Sequence, residues 1–197
     1  AHLAEKIAER YYEIPKDQRN GKCQITVSTS FFVPKPFTPF QWARMCTIDE
    51  FLGSARTVNH EIKDQLNKKS IRYNWHEADV SVLEGLLARG DRKVAAVLKD
   101  VYEHGGIYDA WSETFDNQKW VDALGRTGTD MNFYVHRERS LEEKLPWDFI
   151  QIGVTKKHLL KEWERARQEE VTVNCRQKCA GCGAACYKGG VCFENQN

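Results

Sequence analysis

The clearest hydrophobic pattern in the chain is a two-residue alternation from Cys23 to Val33. Ile25, Val27, Thr29, Phe31 and Val33 fall on one face, and Gln24, Thr26, Ser28, Ser30 and Phe32 on the other. That period belongs to a strand, because successive side chains leave an extended backbone on opposite sides. Upstream, Leu3, Ile7 and Tyr11 recur at helical spacing, so residues 1–12 are expected to form a helix with those three as its apolar stripe, closed by the Asn20-Gly21 turn. Thr47-Ile48-Asp49-Glu50 has the form of a capping box. It opens a helix expected to reach about Lys69, with Phe51, Leu52, Ala55, Val58, Ile62 and Leu66 inward. A short strand over residues 71–75 completes a helix–strand–helix–strand run.

From His76 the period is helical. Helices are expected over residues 79–88, with Ser81–Glu84 as a second capping box, and over 92–104, ending at Gly105-Gly106. Two more are expected from an Asp116 cap to Leu124 and from a Thr155 cap to Glu170. Residues 131–136 read as a short strand. Strands alternating with helices belong to α/β folds, whose functional groups gather at the carboxyl ends of the strands. After the first strand that end is residues 32–43, where Pro34, Pro36 and Pro39 forbid both helix and ladder pairing and so stiffen the backbone around Lys35 and Thr38. A rigid connector, with Phe37, Phe40 and Trp42 covering a core edge, is the plainer account of the same residues.

Composition narrows the function classes. The chain has 197 residues, 41% hydrophobic and 29% charged, which suits one ordinary domain or a core with an appendage. No apolar run is long enough to span a membrane, and a net charge of +1 argues against a general nucleic-acid-binding surface. The mixed charge of Ala1–Tyr12 is unlike a signal peptide, so a cytoplasmic protein is expected. Because the chain starts inside a helical pattern, without Met or a cap, it is expected to be a piece of something longer.

Five of the seven cysteines stand in the last 23 residues, spaced C-x3-C-x2-C-x3-C-x5-C from Cys175 to Cys192. Thiolates this dense among Gly and Ala make poor core but can converge on one soft metal centre. Cys175, Cys179, Cys182 and Cys186 are the expected ligands, with Cys192 an alternative. A 4Fe-4S cluster is expected ahead of zinc, since the tail has no His and all-thiolate ligation suits both. The competing accounts are a disulfide knot, disfavoured by the odd number and by the expected compartment, and a loose tail with idle thiols.

Several blocks carry a resemblance. Residues 28–43, S-T-S-F-F-V-P-K-P-F-T-P-F-Q-W-A, resemble the end of the barrel in radical S-adenosylmethionine (radical SAM) proteins with an N-terminal cobalamin-binding-like domain. The resemblance continues through Y-N-W-H-E-A-D-V-S (73–81), L-A-R-G-D-R-K (87–93), D-A-W-S-E-T-F-D (109–116), Y-V-H-R-E-R-S-L (134–141), L-P-W-D-F-I (145–150) and C-R-Q-K-C-A-G-C-G (175–183). Together they look like the C-terminal part of one uncharacterised family of such proteins.

The resemblance implies an α/β fragment. It is read as the last strand/helix units of a partial TIM-type radical SAM barrel followed by helices and a tail. Residues 1–75 would be the C-terminal end of the barrel and an adjoining helix–strand unit, 76–170 a mostly helical C-terminal subdomain, and 171–197 the Cys-rich tail. Family members should carry C-x3-C-x2-C after the first barrel strand, binding the 4Fe-4S cluster that cleaves S-adenosylmethionine, and that region is not in this sequence. S-adenosylmethionine, and cobalamin if it is used, would therefore belong to the full-length protein. The partner implied is the N-terminal part of the same polypeptide, with an unknown substrate. This chain would supply substrate enclosure and an auxiliary cluster. The alternative is a non-catalytic module with a structural zinc or iron–sulfur tail.

Within the resembling blocks, Lys35, His76, Glu77, Arg89, Asp91, Arg92, Trp111, Glu113, Arg137 and Arg139 are the candidate cavity-lining residues. Plainer accounts exist for most of them. His76 and Glu77 would precede a helix capped by Asp79, Arg89–Arg92 would be a capped turn with solvated charges, Trp111 a buried aromatic, and Arg137–Arg139 a salt-bridged surface.

Overall fold

The computed structural model of the chain describes residues 1–187. Its contacts divide into two units, Ala1–Phe32 with Cys46–Leu83, and Val33–Met45 with the chain from Glu84 on.

The first unit is built on two strands, β1 (Ile25–Thr29) and β2 (Ile71–Trp75). They pair in parallel, with Ile25 opposite Ile71 and Thr29 opposite Trp75. With α1 (His2–Tyr12) before β1 and α2 (Ile48–Asp64) before β2, the element order is the one the periodicity predicts. Among the described residues the sheet is this pair alone. Its inward side carries Ile25, Val27, Ile71 and Tyr73, which gather with Ala4, Val58 and Ile62. Thr26, Ser28, Arg72 and Asn74 on the other side are exposed.

Two details of this unit differ from the sequence expectation. Helix α1 turns Ala4 and Ala8 inward and leaves Leu3 (73%) and Ile7 (49%) exposed, so the stripe of larger residues is its outer face. Helix α2 has its capping box, with Glu50 N–H donating to Thr47 Oγ1 (3.3 Å) and Thr47 N–H to Glu50 Oε2 (2.8 Å), but it ends at Asp64. The Glu5 carboxylate draws residues 65–67 out of helical register by accepting from Asn67 N–H (3.2 Å) and Asn67 Nδ2 (2.9 Å), and Leu66 is left exposed.

Helix α3 (Ala78–Arg89) runs across the division between the units. It begins before Asp79, so Ser81 is inside it. Ser81 Oγ donates back to the Glu77 carbonyl (2.9 Å) instead of forming a second capping box.

In the second unit, α4 (Val94–Glu103) and α5 (Asn117–Thr127) pack together, burying Val97, Val101, Trp120 and Ala123. Asp116 caps α5 through Oδ1 and Gln118 N–H at 3.0 Å. Residues 131–136 are not a strand. Asp130 Oδ1 accepts Asn132 N–H (2.9 Å) and starts one wide helical turn, Asn132–His136, closed by Arg137 N–H to the Asn132 carbonyl (3.0 Å).

Helix α6 (Lys156–Arg167) is capped by Thr155 Oγ1, which accepts His158 N–H at 3.2 Å. The helix stops short of Glu170. Leu159 and Trp163 on its inner face close a core with Trp42, Leu145 and Trp147. Among the described residues no helix is long and apolar enough to cross a membrane.

Candidate functional site

The Pro-rich segment belongs to the second unit and builds one wall of a cleft there. Pro34 and Pro36 keep the backbone out of regular structure, but Pro39 does not forbid helix as the sequence suggests. It opens a short 3-10 helix, Pro39–Trp42, because proline at a first helical position has no N–H to satisfy. Between Pro36 and Pro39, Phe37 takes φ +60°, a left-handed conformation that costs a residue with a Cβ about 1–2 kcal/mol. The main chain is held there by Phe37 N–H donating to Gln41 Oε1 at 3.1 Å. The same oxygen accepts Trp147 Nε1–H at 2.7 Å. Two donors on one oxygen fix the orientation of the carboxamide, because its nitrogen end cannot accept. Gln41 is only 2% exposed, yet its Nε2 has no hydrogen-bond partner among the described residues. Gln41, Phe37, Trp147, Ile150 and Leu159 line a cleft of about 570 Å³.

The start of α6 forms the opposite wall. Lys156 Nζ donates to Asp148 Oδ2 (2.6 Å) and to the Glu143 carbonyl (3.2 Å), and Asp148 Oδ2 also accepts Leu145 N–H (2.9 Å). Of these, Lys156 and Asp148 line the cleft and can act on a ligand's oxygen or N–H groups.

The cysteine tail is tied to the same place. Thr155 N–H donates to the Cys182 carbonyl (2.9 Å), and Gly183, at φ +101°, lies so close that a Cβ would be 2.4 Å from the Gly153 carbonyl oxygen. Gly183 and Cys186 thereby line the cleft. Two tail sulfurs accept main-chain hydrogen bonds from two residues downstream, Cys179 Sγ from Gly181 N–H and Cys182 Sγ from Ala184 N–H, each 3.4 Å. Hydrogen bonds to sulfur are the outer contacts that tune metal-bound thiolates.

The donor chemistry of Cys175, Cys179, Cys182 and Cys186 fits a thiolate-ligated centre. These four are free thiols, as are Cys23 and Cys46, and among the described residues no three His, Cys, Asp or Glu side chains gather into a group able to hold an ion. Cys192 lies outside the described residues.

The candidate cavity residues stand elsewhere. Lys35 pairs with Glu84 on the surface, and His76 and Glu77 are exposed between β2 and α3. Trp111 and Glu113 are exposed, Trp111 meeting the edge of Tyr108 at 5.9 Å. Arg92 is exposed, whereas Asp91 Oδ1 accepts Tyr134 O–H at 2.9 Å. That bond and burial together push the Tyr134 hydroxyl up to about 12, burial being the larger cause.

The arginines form the tightest group. Arg89 is fully buried and Arg139 is 3% exposed, so neither belongs to a solvated turn or a salt-bridged surface. Arg89 Nε (3.2 Å) and Arg139 Nη2 (3.2 Å) both donate to the Tyr134 carbonyl, and Arg139 Nη2 also reaches the Arg89 carbonyl (2.9 Å). Arg139 lies over the Trp147 ring at 5.2 Å. Burial, then the neighbouring guanidinium of Arg139, lower Arg89 to about 10. Arg89 Nη2 and Arg139 Nε have no partner among the described residues. Arg137 forms a two-pronged pair with Glu143 at 2.7 and 2.8 Å.

Of the cleft residues, Gln41, Trp147 and Lys156 carry no motif of their own. The one sequence signal at Gln41 is a polar residue enclosed by Phe40 and Trp42 in an otherwise apolar, Pro-rich run. No family model, curated protein or solved structure matches this chain.

Proposed function

We propose that this chain is the C-terminal part of a radical SAM enzyme, contributing substrate enclosure and a tail that holds an auxiliary iron–sulfur cluster. The observation that carries the reading is the β1–β2 pair. Parallel strands are ordinarily buried within sheets of several strands covered on both faces. Here one face, with Thr26, Ser28, Arg72 and Asn74, is polar and exposed. A parallel pair whose strands are adjacent in sequence, joined through α2, and adjacent in the sheet has the connectivity expected of the end of a TIM-type barrel with its adjoining helix–strand unit.

The tail supports the second half of the proposal. Its four described sulfurs supply soft donors, and two already carry N–H contacts of the kind that surround cluster thiolates. Bound there, a cluster would supply electron transfer. This chain's residues would hold it against the start of α6 through the Thr155–Cys182 bond and the close approach of Gly183.

The alternative is a non-catalytic module with a structural zinc or iron–sulfur tail, which the same main-chain tie to α6 also suits. Anaerobic reconstitution with iron and sulfide separates the readings. The proposal expects visible charge-transfer absorption that is lost in Cys179→Ala and Cys182→Ala. Stoichiometric, colourless zinc binding with no cluster formation refutes the cluster. Joining the chain to the preceding residues of its reading frame tests the barrel: a cysteine triplet spaced C-x3-C-x2-C upstream supports it, and its absence sinks it.

A further inference from the structure

We infer that the cleft beside the tail binds a small organic carboxylate on a flat apolar body, with Gln41 Nε2 as the anchoring donor. The inference rests on the cleft and not on the proposed cluster or radical chemistry.

The argument starts from an unused donor. An amide N–H that no protein group accepts, at a wall open to a cleft, is left to solvent or to a ligand. Gln41 is 2% exposed and its oxygen is doubly satisfied, by Phe37 N–H and Trp147 Nε1–H, while its amide nitrogen has no partner among the described residues and is not among the side-chain atoms sealed from solvent, so it is open to the cleft that Gln41 lines. The amide cannot turn over to relieve this, because turning would set nitrogen against two donors. The group is therefore a fixed N–H donor in a cleft wall, and its complement is an oxygen acceptor.

The other walls say what carries that oxygen. Phe37, Trp147, Ile150 and Leu159 give an apolar lining with two aromatic rings, and about 570 Å³ falls within the range of small-molecule sites. Lys156, in the first turn of α6, uses two of its three N–H donors on Asp148 and Glu143 and has one left. The positive end of the twelve-residue α6 opens at this wall. Asp148, in the same lining, offsets the charge of Lys156, so the preference for an anionic oxygen rests on the fixed amide donor, the spare ammonium hydrogen and the helix N-terminus acting on one atom. The strained Phe37 backbone fits the same account, since strain of this kind persists where the surroundings hold a residue in place for function.

The test uses 2-naphthoate, with 2-naphthamide and 2-naphthalenemethanol for comparison, titrated into the metal-free chain. Failure there leaves the cluster reconstitution untouched, so the two proposals fall separately. Naphthoate is expected to saturate with a Kd of about 1 mM, the affinity that ligand efficiency sets for a bicyclic ligand. It should bind at least about tenfold more tightly than the alcohol, and it should shift the side-chain amide signal of Gln41 in the ¹⁵N–¹H spectrum.

Gln41→Glu keeps an oxygen for Trp147 and Phe37 but removes the donor. It should lose naphthoate about tenfold or more and gain preference for the naphthamide, a reversal that a merely damaged fold cannot produce. If that variant does not fold, Lys156→Met is expected to weaken naphthoate about threefold to tenfold while leaving the alcohol unchanged. Absence of saturable naphthoate binding, or binding that leaves the Gln41 signal unmoved, overturns the inference. So does equal affinity for acid and alcohol.

Discussion

Gly183→Ala tests whether the tail is docked on α6 or merely near it. In the native chain Gly183 has φ +101°, and an added Cβ would lie 2.4 Å from the Gly153 carbonyl oxygen and 2.9 Å from Thr155 Cγ2. Comfortable contact begins near ~3.5 Å, so the two segments must part by about 1 Å. One residue away, the Cys182 carbonyl accepts Thr155 N–H at 2.9 Å, and a parting of that size stretches the bond past hydrogen-bonding distance. Strain at a positive φ costs about 1–2 kcal/mol and the lost bond about 1 kcal/mol. The sum, about 2–3 kcal/mol, corresponds to a roughly 30- to 150-fold shift toward the undocked tail.

Hydrogen exchange reads this directly. The amides of Thr155 and Cys186, bonded to the Cys182 and Gly183 carbonyls, should lose protection by about that factor, while the amides of Leu159–Trp163 inside α6 keep theirs. Gly181→Ala is the comparator. Gly181 also has a positive φ (+69°) but nothing within 4 Å of an added Cβ, so it should lose only the strain share. Protection at Thr155 within about threefold of wild type in Gly183→Ala would refute the docking geometry.

Gly125→Ala, inside α5 with nothing within 4 Å of the new Cβ, should stabilise the fold by about 0.5–1 kcal/mol, read as a higher midpoint in urea. Thr47→Ala should cost about 1 kcal/mol by removing the α2 capping box, and an unchanged midpoint would contradict the cap. Trp42→Ala, emptying a fully buried position in the tryptophan core, should cost about 3–5 kcal/mol in the same assay. Tyr134, pushed up to about 12 by burial and its bond to Asp91, stays neutral in the fold where an unfolded tyrosine ionises near 10. Its contribution to stability is full below about pH 10 and lost as pH rises through about 12. Tyrosinate absorbance should show one late-titrating group that Tyr134→Phe removes.

Local signals carried most of what the sequence revealed. Thr47, Asp116 and Thr155 all cap the helices their spacing implies, because a cap is satisfied within three residues of itself. The first strand was legible from alternation, although its pairing covers only Ile25–Thr29. What failed locally was decided at a distance. Leu66 looked inward until Glu5, 62 residues away in sequence from Asn67, took that segment's N–H groups. Leu3 and Ile7 had the right period but the wrong face, since Ala4 and Ala8 are the residues turned inward on α1.

The candidate site was legible only in part. The stiffness of residues 34–39 was readable from three prolines, but the role of Gln41 comes from Trp147, 106 positions on, and no spacing rule reaches that far. Arg89 and Arg139 read as solvated charges because arginine is rarely fully buried. Four backbone-directed hydrogen bonds and an indole face let them be otherwise.

The two-stranded sheet has a practical consequence for anyone who expresses this chain. Each strand has one neighbour among the described residues, so each offers a row of main-chain groups along its other side. Such rows are templates on which a second polypeptide can add a strand. At high concentration the chain is therefore expected to self-associate through β1 or β2, and its colloidal behaviour to improve when an added strand, or a lysine at an outward position such as Ser28, blunts the template.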